Sequence, residues 1–186
     1  MKQKISIFDS TLRDGMQGEG IAFSVEDKLN IVRALDDIGI DFIEAGNPAS
    51  NPKDLEFFRR IRDEQPKHAK LCAFGSTRRK NIRPDEDANV ESLLEAETPA
   101  VSIFGKCWDL HVLKVLGTTL RENLEMIEST VAYLKERGKY VVFDAEHFFD
   151  GCRANEDYAM EALGAAERGG ADVLCLCDTN GGTYPD

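Results

Sequence analysis

Six short apolar runs alternate with amphipathic stretches along this chain, and that alternation restricts it to a sheet with helical crossovers. The runs lie at 5–9, 41–45, 69–74, 100–104, 140–144 and 173–177. They are apolar on both faces, as strands of a covered parallel sheet must be. Between them, apolar residues fall at helical spacing. Val25, Leu29, Val32 and Leu35 form one stripe, and Leu120, Leu124, Ile127, Val131 and Leu134 form a clearer one. Ser24 with an acid three residues on marks a helix start, and Pro52 suits a first turn. Further helices are expected near Asp87–Ala96 and around Ala159, Leu163 and Ala166, with Gly39, Gly138 and Gly169–Gly170 as stops.

Two α/β architectures satisfy this rhythm: a doubly wound open sheet and a (β/α)8 TIM barrel. A dinucleotide-binding sheet would want Gly-x-Gly-x-x-Gly after its first strand, and Gly15, Gly18 and Gly20 miss that spacing. A barrel instead gathers functional residues at the C-terminal ends of several strands. Here Asp9 leads to Arg13, Asp14 and Gln17; the second strand ends in Glu44; the fifth runs into Asp144–Glu146–His147; the sixth runs into Asp178–Thr179–Asn180. The barrel is therefore the expected fold. At 186 residues the chain offers six strands of eight, against the roughly 250 residues of a typical barrel. Residues 1–186 then read as the N-terminal part of one catalytic barrel domain, with the remainder and any C-terminal domains outside this chain. Strands one and six would be open edges.

Composition narrows the class. Hydrophobic content of 42% and charged content of 31% fit a globular protein with a sizeable core. A net charge of −11 argues against nucleic acid or an anionic membrane as partner. No apolar run reaches the roughly 20 residues of a membrane span. Met1–Ile5 lacks the apolar core of a signal peptide, so a cytoplasmic location is expected. The cysteines Cys72, Cys107, Cys152, Cys175 and Cys177 read as reduced, mostly buried thiols. Cys175 and Cys177 would share a strand face as a metal pair, but no second Cys or His cluster accompanies them.

Arg13 beside Asp14, where a strand opens into a glycine-rich loop, suggests chemistry. The carboxylate can hold a divalent cation, and the guanidinium can stabilise an oxygen gaining negative charge. The alternative is a solvated surface pair. The cluster Arg78, Arg79, Lys80 and Arg83 can be read as a phosphate cradle or, more simply, as a solvated loop. His111 and His147 fit a catalytic or a structural role equally, and Trp108 reads as core or pocket wall.

Several segments resemble one family. They are Asp9-Ser10-Thr11-Leu12-Arg13-Asp14-Gly15, Ile43-Glu44, Phe143-Asp144-Ala145-Glu146-His147-Phe148-Phe149-Asp150-Gly151 and Cys177-Asp178-Thr179-Asn180-Gly181-Gly182. Together they are similar to the metal-dependent acyl-CoA condensing enzymes that include 2-isopropylmalate, homocitrate and citramalate synthases. Residues 18–29 and 104–112 are most similar to the citramalate synthase branch. The resemblance implies an acyltransferase that condenses acetyl-CoA with a 2-oxo acid, pyruvate giving citramalate and CoA, in branched-chain amino-acid biosynthesis. It implies a divalent metal ion (Mg, Mn or Zn) with Asp14 as ligand. Arg13 would contact the keto oxygen, Glu146 would take part in acid–base chemistry, and Gln17, Glu44 and Thr179 would bind substrate. It further implies a homodimer for the full-length protein. Met16 and Gly46-Asn47-Pro48-Ala49 depart from the branch pattern, which bears on the choice of 2-oxo acid.

The family's metal site also uses a His-x-His pair, and this chain has only His68, His111 and His147. Three alternatives therefore stand beside the condensing reading: a 2-isopropylmalate or homocitrate synthase, a lyase acting on a CoA thioester, and a catalytically incomplete module for binding or oligomerisation.

Overall fold

The computed structural model describes residues 5–184; the expectation drawn from Met1–Lys4 lies outside them. The strands are β1 (Phe8–Asp9), β2 (Phe42–Glu44), β3 (Lys70–Ser76), β4 (Ala100–Lys106), β5 (Tyr140–Glu146) and β6 (Val173–Leu176). The helices are α1 (Val25–Asp37), α2 (Pro52–Ile61), α3 (Ala88–Glu95), α4 (Asp109–His111), α5 (Leu120–Glu136), α6 (Phe148–Ala154) and α7 (Glu156–Arg168). The strands follow chain order from β1 to β6. A doubly wound sheet reverses its strand order part-way, so this order excludes it. β1 with β2, β2 with β3, and β5 with β6 pair in parallel.

The chain divides into two compact units, one of Met1–Gly75 with Ser92–Val101, the other of Ser76–Glu91 with Ser102–Asp186. In the first, Leu29 and Val32 of α1 and Phe57, Phe58 and Ile61 of α2 are buried along with Ile43, Leu71 and Cys72 of the strands. The α1 start is a reciprocal cap: the Ser24 hydroxyl accepts from Asp27 N, and Asp27 accepts from Ser24 N. The expected α1 stripe is offset. Leu35 is only half-buried, and Lys28 is fully buried instead. The reason is Asp54 at the start of α2, whose Oδ1 lies 2.7 Å from Lys28 Nζ and compensates the cation. β1 is shorter than the expected 5–9 run. It pairs through Phe8 and Asp9 with β2, and Ile5 and Ile7 stay exposed.

In the second unit α5 buries Asn123, Met126, Ile127, Thr130, Val131 and Leu134. Asn123 earns its place by donating to the Lys106 carbonyl and to the Tyr158 hydroxyl, both at 2.8 Å. Gly105 in β4 is required by close approach: a Cβ there would meet the Phe143 ring at 2.6 Å. β4 and β5 run past the expected apolar stretches to Lys106 and Glu146, so their last residues are polar ladder residues. Neither α4, which continues into a π-turn at Val112–Leu116, nor α6 has a periodic signal in the sequence.

Candidate active site

In the first unit, the loop after β1 folds back by turn bonds from Arg13, Asp14 and Gly15 N to the Ser10 carbonyl. This turn presents Arg13 to the end of β2. Arg13 Nε donates to Glu44 Oε2 at 2.6 Å, and its Nη1 donates to Asp14 Oδ1 at 2.8 Å. The guanidinium carbon lies 4.1 Å above the Phe74 ring. Glu44 is fully buried, whereas the Asp14 side chain is 63% exposed. The arginine is thus clamped from inside by a carboxylate and from below by an aromatic face. Gln17 and Arg13 line one cavity of about 270 Å³ together with Met16, Gly46, Asn47 and Asp54. Met16 and Asn47, which depart from the branch pattern, thus line the same space as Arg13 and Gln17.

Behind this cavity stands the Lys28–Asp54 pair. Burial pulls the Lys28 ammonium below its ordinary pKa, and Asp54 only partly restores it. Gly46, with φ of 126°, passes so close that a Cβ would meet Lys28 Nζ at 2.8 Å. Only glycine accepts both that conformation and that contact.

In the second unit, Glu146 at the end of β5 accepts from Lys106 at the end of β4. The next residue, His147, has left-handed backbone angles (φ 52°, ψ 36°) and starts α6. Its N–H donates to Thr179 Oγ1 at 2.9 Å, and its Nδ1 lies 3.1 Å from Asp150 Oδ2. Asn180 Nδ2 donates to the same Asp150 oxygen at 2.7 Å. The His111 ring meets His147 edge-on at 4.7 Å and Trp108 at the same distance. Desolvation, then the neighbouring His147, pulls His111 below the usual imidazole pKa. Thr179 sits in a loop closed by Asp178, which accepts from Thr183 and Gly182 N.

Within their own units, then, Arg13, Asp14, Glu44 and Gln17 come together, as do Glu146 and Thr179. His147, Asp150 and Lys106 complete the second group, and sequence reading missed Lys106 as the partner of Glu146. Its signal was a lysine at the polar end of an apolar run. In the basic cluster Arg78 is buried and Arg79, Lys80 and Arg83 are exposed, and each bonds to neighbouring protein groups. Arg78 donates to Glu122, Arg79 to Asp87, Arg83 to Asp85, and Lys80 to the Leu116 and Gly117 carbonyls. Beside it lies a cavity of about 470 Å³ walled by Phe104, Leu116 and Met126 and bordered by Lys106. Cys72 and Cys107 are buried, and Cys152, Cys175 and Cys177 are half-buried; all five are free thiols.

The family model described as HMGL-like matches residues 4–186. The chain belongs to the HMGL-like family. It is 58% identical over 185 residues to "(R)-citramalate synthase" of Aquifex aeolicus (strain VF5), covering 100% of this chain and 35% of the relative. It is 52% identical over 181 residues to the protein of the same name from Geobacter sulfurreducens, covering 97% and 34%. This HMGL-like chain therefore spans about a third of the length of the curated relatives it matches. The structure resembles that of the Bacillus subtilis HMG-CoA lyase with a TM-score of 0.73 at 21% identity, covering 99% of this chain and 61% of the other. At that identity the likeness shows the fold alone: an HMGL-like TIM barrel, of which these residues supply six parallel strands.

Whether Asp14 can hold a divalent ion depends on the donors around it. It offers an exposed, hard carboxylate, but its Oδ1 is engaged by Arg13 and the adjacent Glu44 is occupied by Arg13 Nε. Hard divalent ions take about six donors, so Asp14 can serve as one ligand and does not by itself make the site.

Proposed function

We propose that these residues belong to an acyltransferase that condenses acetyl-CoA with a 2-oxo acid, pyruvate and one water giving citramalate and CoA as the thioester is hydrolysed, in branched-chain amino-acid biosynthesis. The reading rests on the clamped Arg13 at the mouth of a small cavity, in a chain about half identical to (R)-citramalate synthases. On this reading residues 1–186 form the N-terminal part of one catalytic barrel in a longer, cytoplasmic, homodimeric protein. No described helix is long and apolar enough to cross a membrane.

Arg13 meets the keto oxygen of the 2-oxo acid and stabilises the alkoxide that forms as the new carbon–carbon bond closes. Glu44 holds in place the guanidinium of Arg13, which lines the cavity, before substrate arrives. Gln17 contacts the same substrate, and Met16 and Asn47 limit its side chain. Thr179 Oγ1 accepts from His147 N, which leaves its O–H to donate, suited to the substrate carboxylate. Glu146 takes or returns a proton, held in place by Lys106, which also borders the larger cavity where a thioester arm would lie. HMGL-like proteins are generally dependent on a divalent metal, which would polarise the keto group, with Asp14 supplying one ligand.

The test is CoA release by the whole protein with pyruvate, 2-oxoisovalerate and 2-oxoglutarate. Pyruvate should be preferred, and Arg13→Ala should lower turnover by about 10²–10³-fold. Near-normal turnover of Arg13→Ala removes the role of Arg13. Preference for another 2-oxo acid moves the protein to a sister activity, and cleavage of a hydroxymethylglutaryl thioester makes it a lyase.

A further inference from the structure

Asp144, Cys175 and Cys177 form a donor cluster that the proposed reaction does not use. β5 and β6 pair so that Asp144 stands opposite Cys175. The Cys177 N–H donates to the Ala145 carbonyl, which carries the ladder one residue beyond β6. Cys175 and Cys177, two residues apart on an extended backbone, therefore point to the same face as Asp144. The three ligand atoms all lie within 4.8 Å of one another, and the two sulfurs are 4.0 Å apart. A tetrahedral zinc ion with Zn–S bonds of about 2.3 Å requires sulfurs about 3.8 Å apart. The pair is thus within a few tenths of an ångström of the required bite. All three residues are half-buried among the described residues.

We infer that Asp144, Cys175 and Cys177 bind one soft divalent cation of the zinc class, with a ligand set that does not include Asp14. Two thiolates and one carboxylate select zinc or cadmium over magnesium or calcium, which want oxygen alone. Three protein ligands leave a fourth position for water or a small ligand, the arrangement of an open rather than a closed site. The ion would also tie β5 to β6. The cysteine pair was visible in the sequence, but the carboxylate reaches it only because the parallel register places Asp144 beside Cys175.

Cadmium is the probe, because cadmium–thiolate bonds give an ultraviolet charge-transfer band that oxygen ligands do not. Titration of the full chain should saturate that band at one equivalent, and X-ray absorption should count two sulfur neighbours. Cys175→Ser and Cys177→Ser should each lose at least about tenfold in affinity, as should Asp144→Asn, while Cys152→Ser should titrate like the unmodified chain. No band at one equivalent, or an undiminished titration in Cys177→Ser, overturns the site. If a variant fails to fold, the sulfur count on the unmodified chain decides: two support the site, and none or one overturns it. None of these readings depends on the condensing activity.

Discussion

The strand ends of the two units solve the same problem, holding polar groups above an apolar sheet, by opposite means. In the first unit Arg13 is braced by the fully buried Glu44, and the Lys28–Asp54 pair lies buried behind the cavity. In the second unit His147, Thr179, Asp150 and Asn180 form a partly exposed hydrogen-bond net around a left-handed residue, and Glu146 is paired separately with Lys106. Buried charge pairs are expensive to break, because removing one partner strands the other in low dielectric. Partly exposed nets give up less, because water can replace a lost partner. The first arrangement therefore favours a fixed guanidinium, and the second favours groups whose protons and contacts can shift.

Removing a buried partner should have the largest effect on stability. Lys28→Met leaves the Asp54 carboxylate uncompensated, and urea unfolding should show a loss of about 3–5 kcal/mol. A loss below about 1 kcal/mol would erase the contrast between the units. Asp87 in the second unit is a buried counter-example that sharpens the comparison. Asp87 is fully buried, and burial raises its pKa, but the Arg79 and Asn89 N–H groups outweigh that and hold it below 3.8. Asp87→Ala should cost about 1–3 kcal/mol in the same assay.

The pH dependence follows from the same carboxylate. Its folded pKa is depressed, so the native state binds fewer protons than the unfolded chain as pH falls toward 3.8 and below. The stabilising contribution is complete above 3.8 and is lost as pH falls through the lower folded value. In acid titration of stability, the Asp87→Ala chain should lose less than the unmodified chain over that window. Equal losses would show that Asp87 titrates alike in both states.

The smallest effect belongs to the exposed net. Thr179→Val removes the oxygen that accepts His147 N, and should cost about 1 kcal/mol of stability. If it costs as much as Lys28→Met, the net is as rigid as the buried pair. On the condensing reading the same variant should raise KM for the 2-oxo acid more than it lowers kcat.

The element order, the capping of α1 by Ser24 and Asp27, the Asn51–Pro52 start of α2 and the grouping of polar residues at strand ends are local facts. They follow from periodicity, turn chemistry and spacing, which act over a few residues; the sequence by itself determined the strand order, the α1 cap, the Pro52 start and the polar strand ends, but not α4, α6 or the Asn51 cap. The motifs around Arg13–Asp14 and Cys177–Thr179 likewise marked the HMGL-like family. What the sequence did not determine is which side chains meet across strands and helices. Lys28 lies outside the apolar stripe that the sequence offers for α1, yet Asp54 draws it inside. Lys106 follows the apolar run 100–104 and carries no sequence signal of its partner, yet it holds Glu146. Asp144 read as one more strand-end acid, yet the β5–β6 register sets it against Cys175 and Cys177. The left-handed His147 had no signal either, because its conformation is imposed by the β5 exit, the Thr179 contact and the start of α6. Each of these pairings joins residues distant in sequence. Their energies come from burial and register, which exist only after the chain has folded.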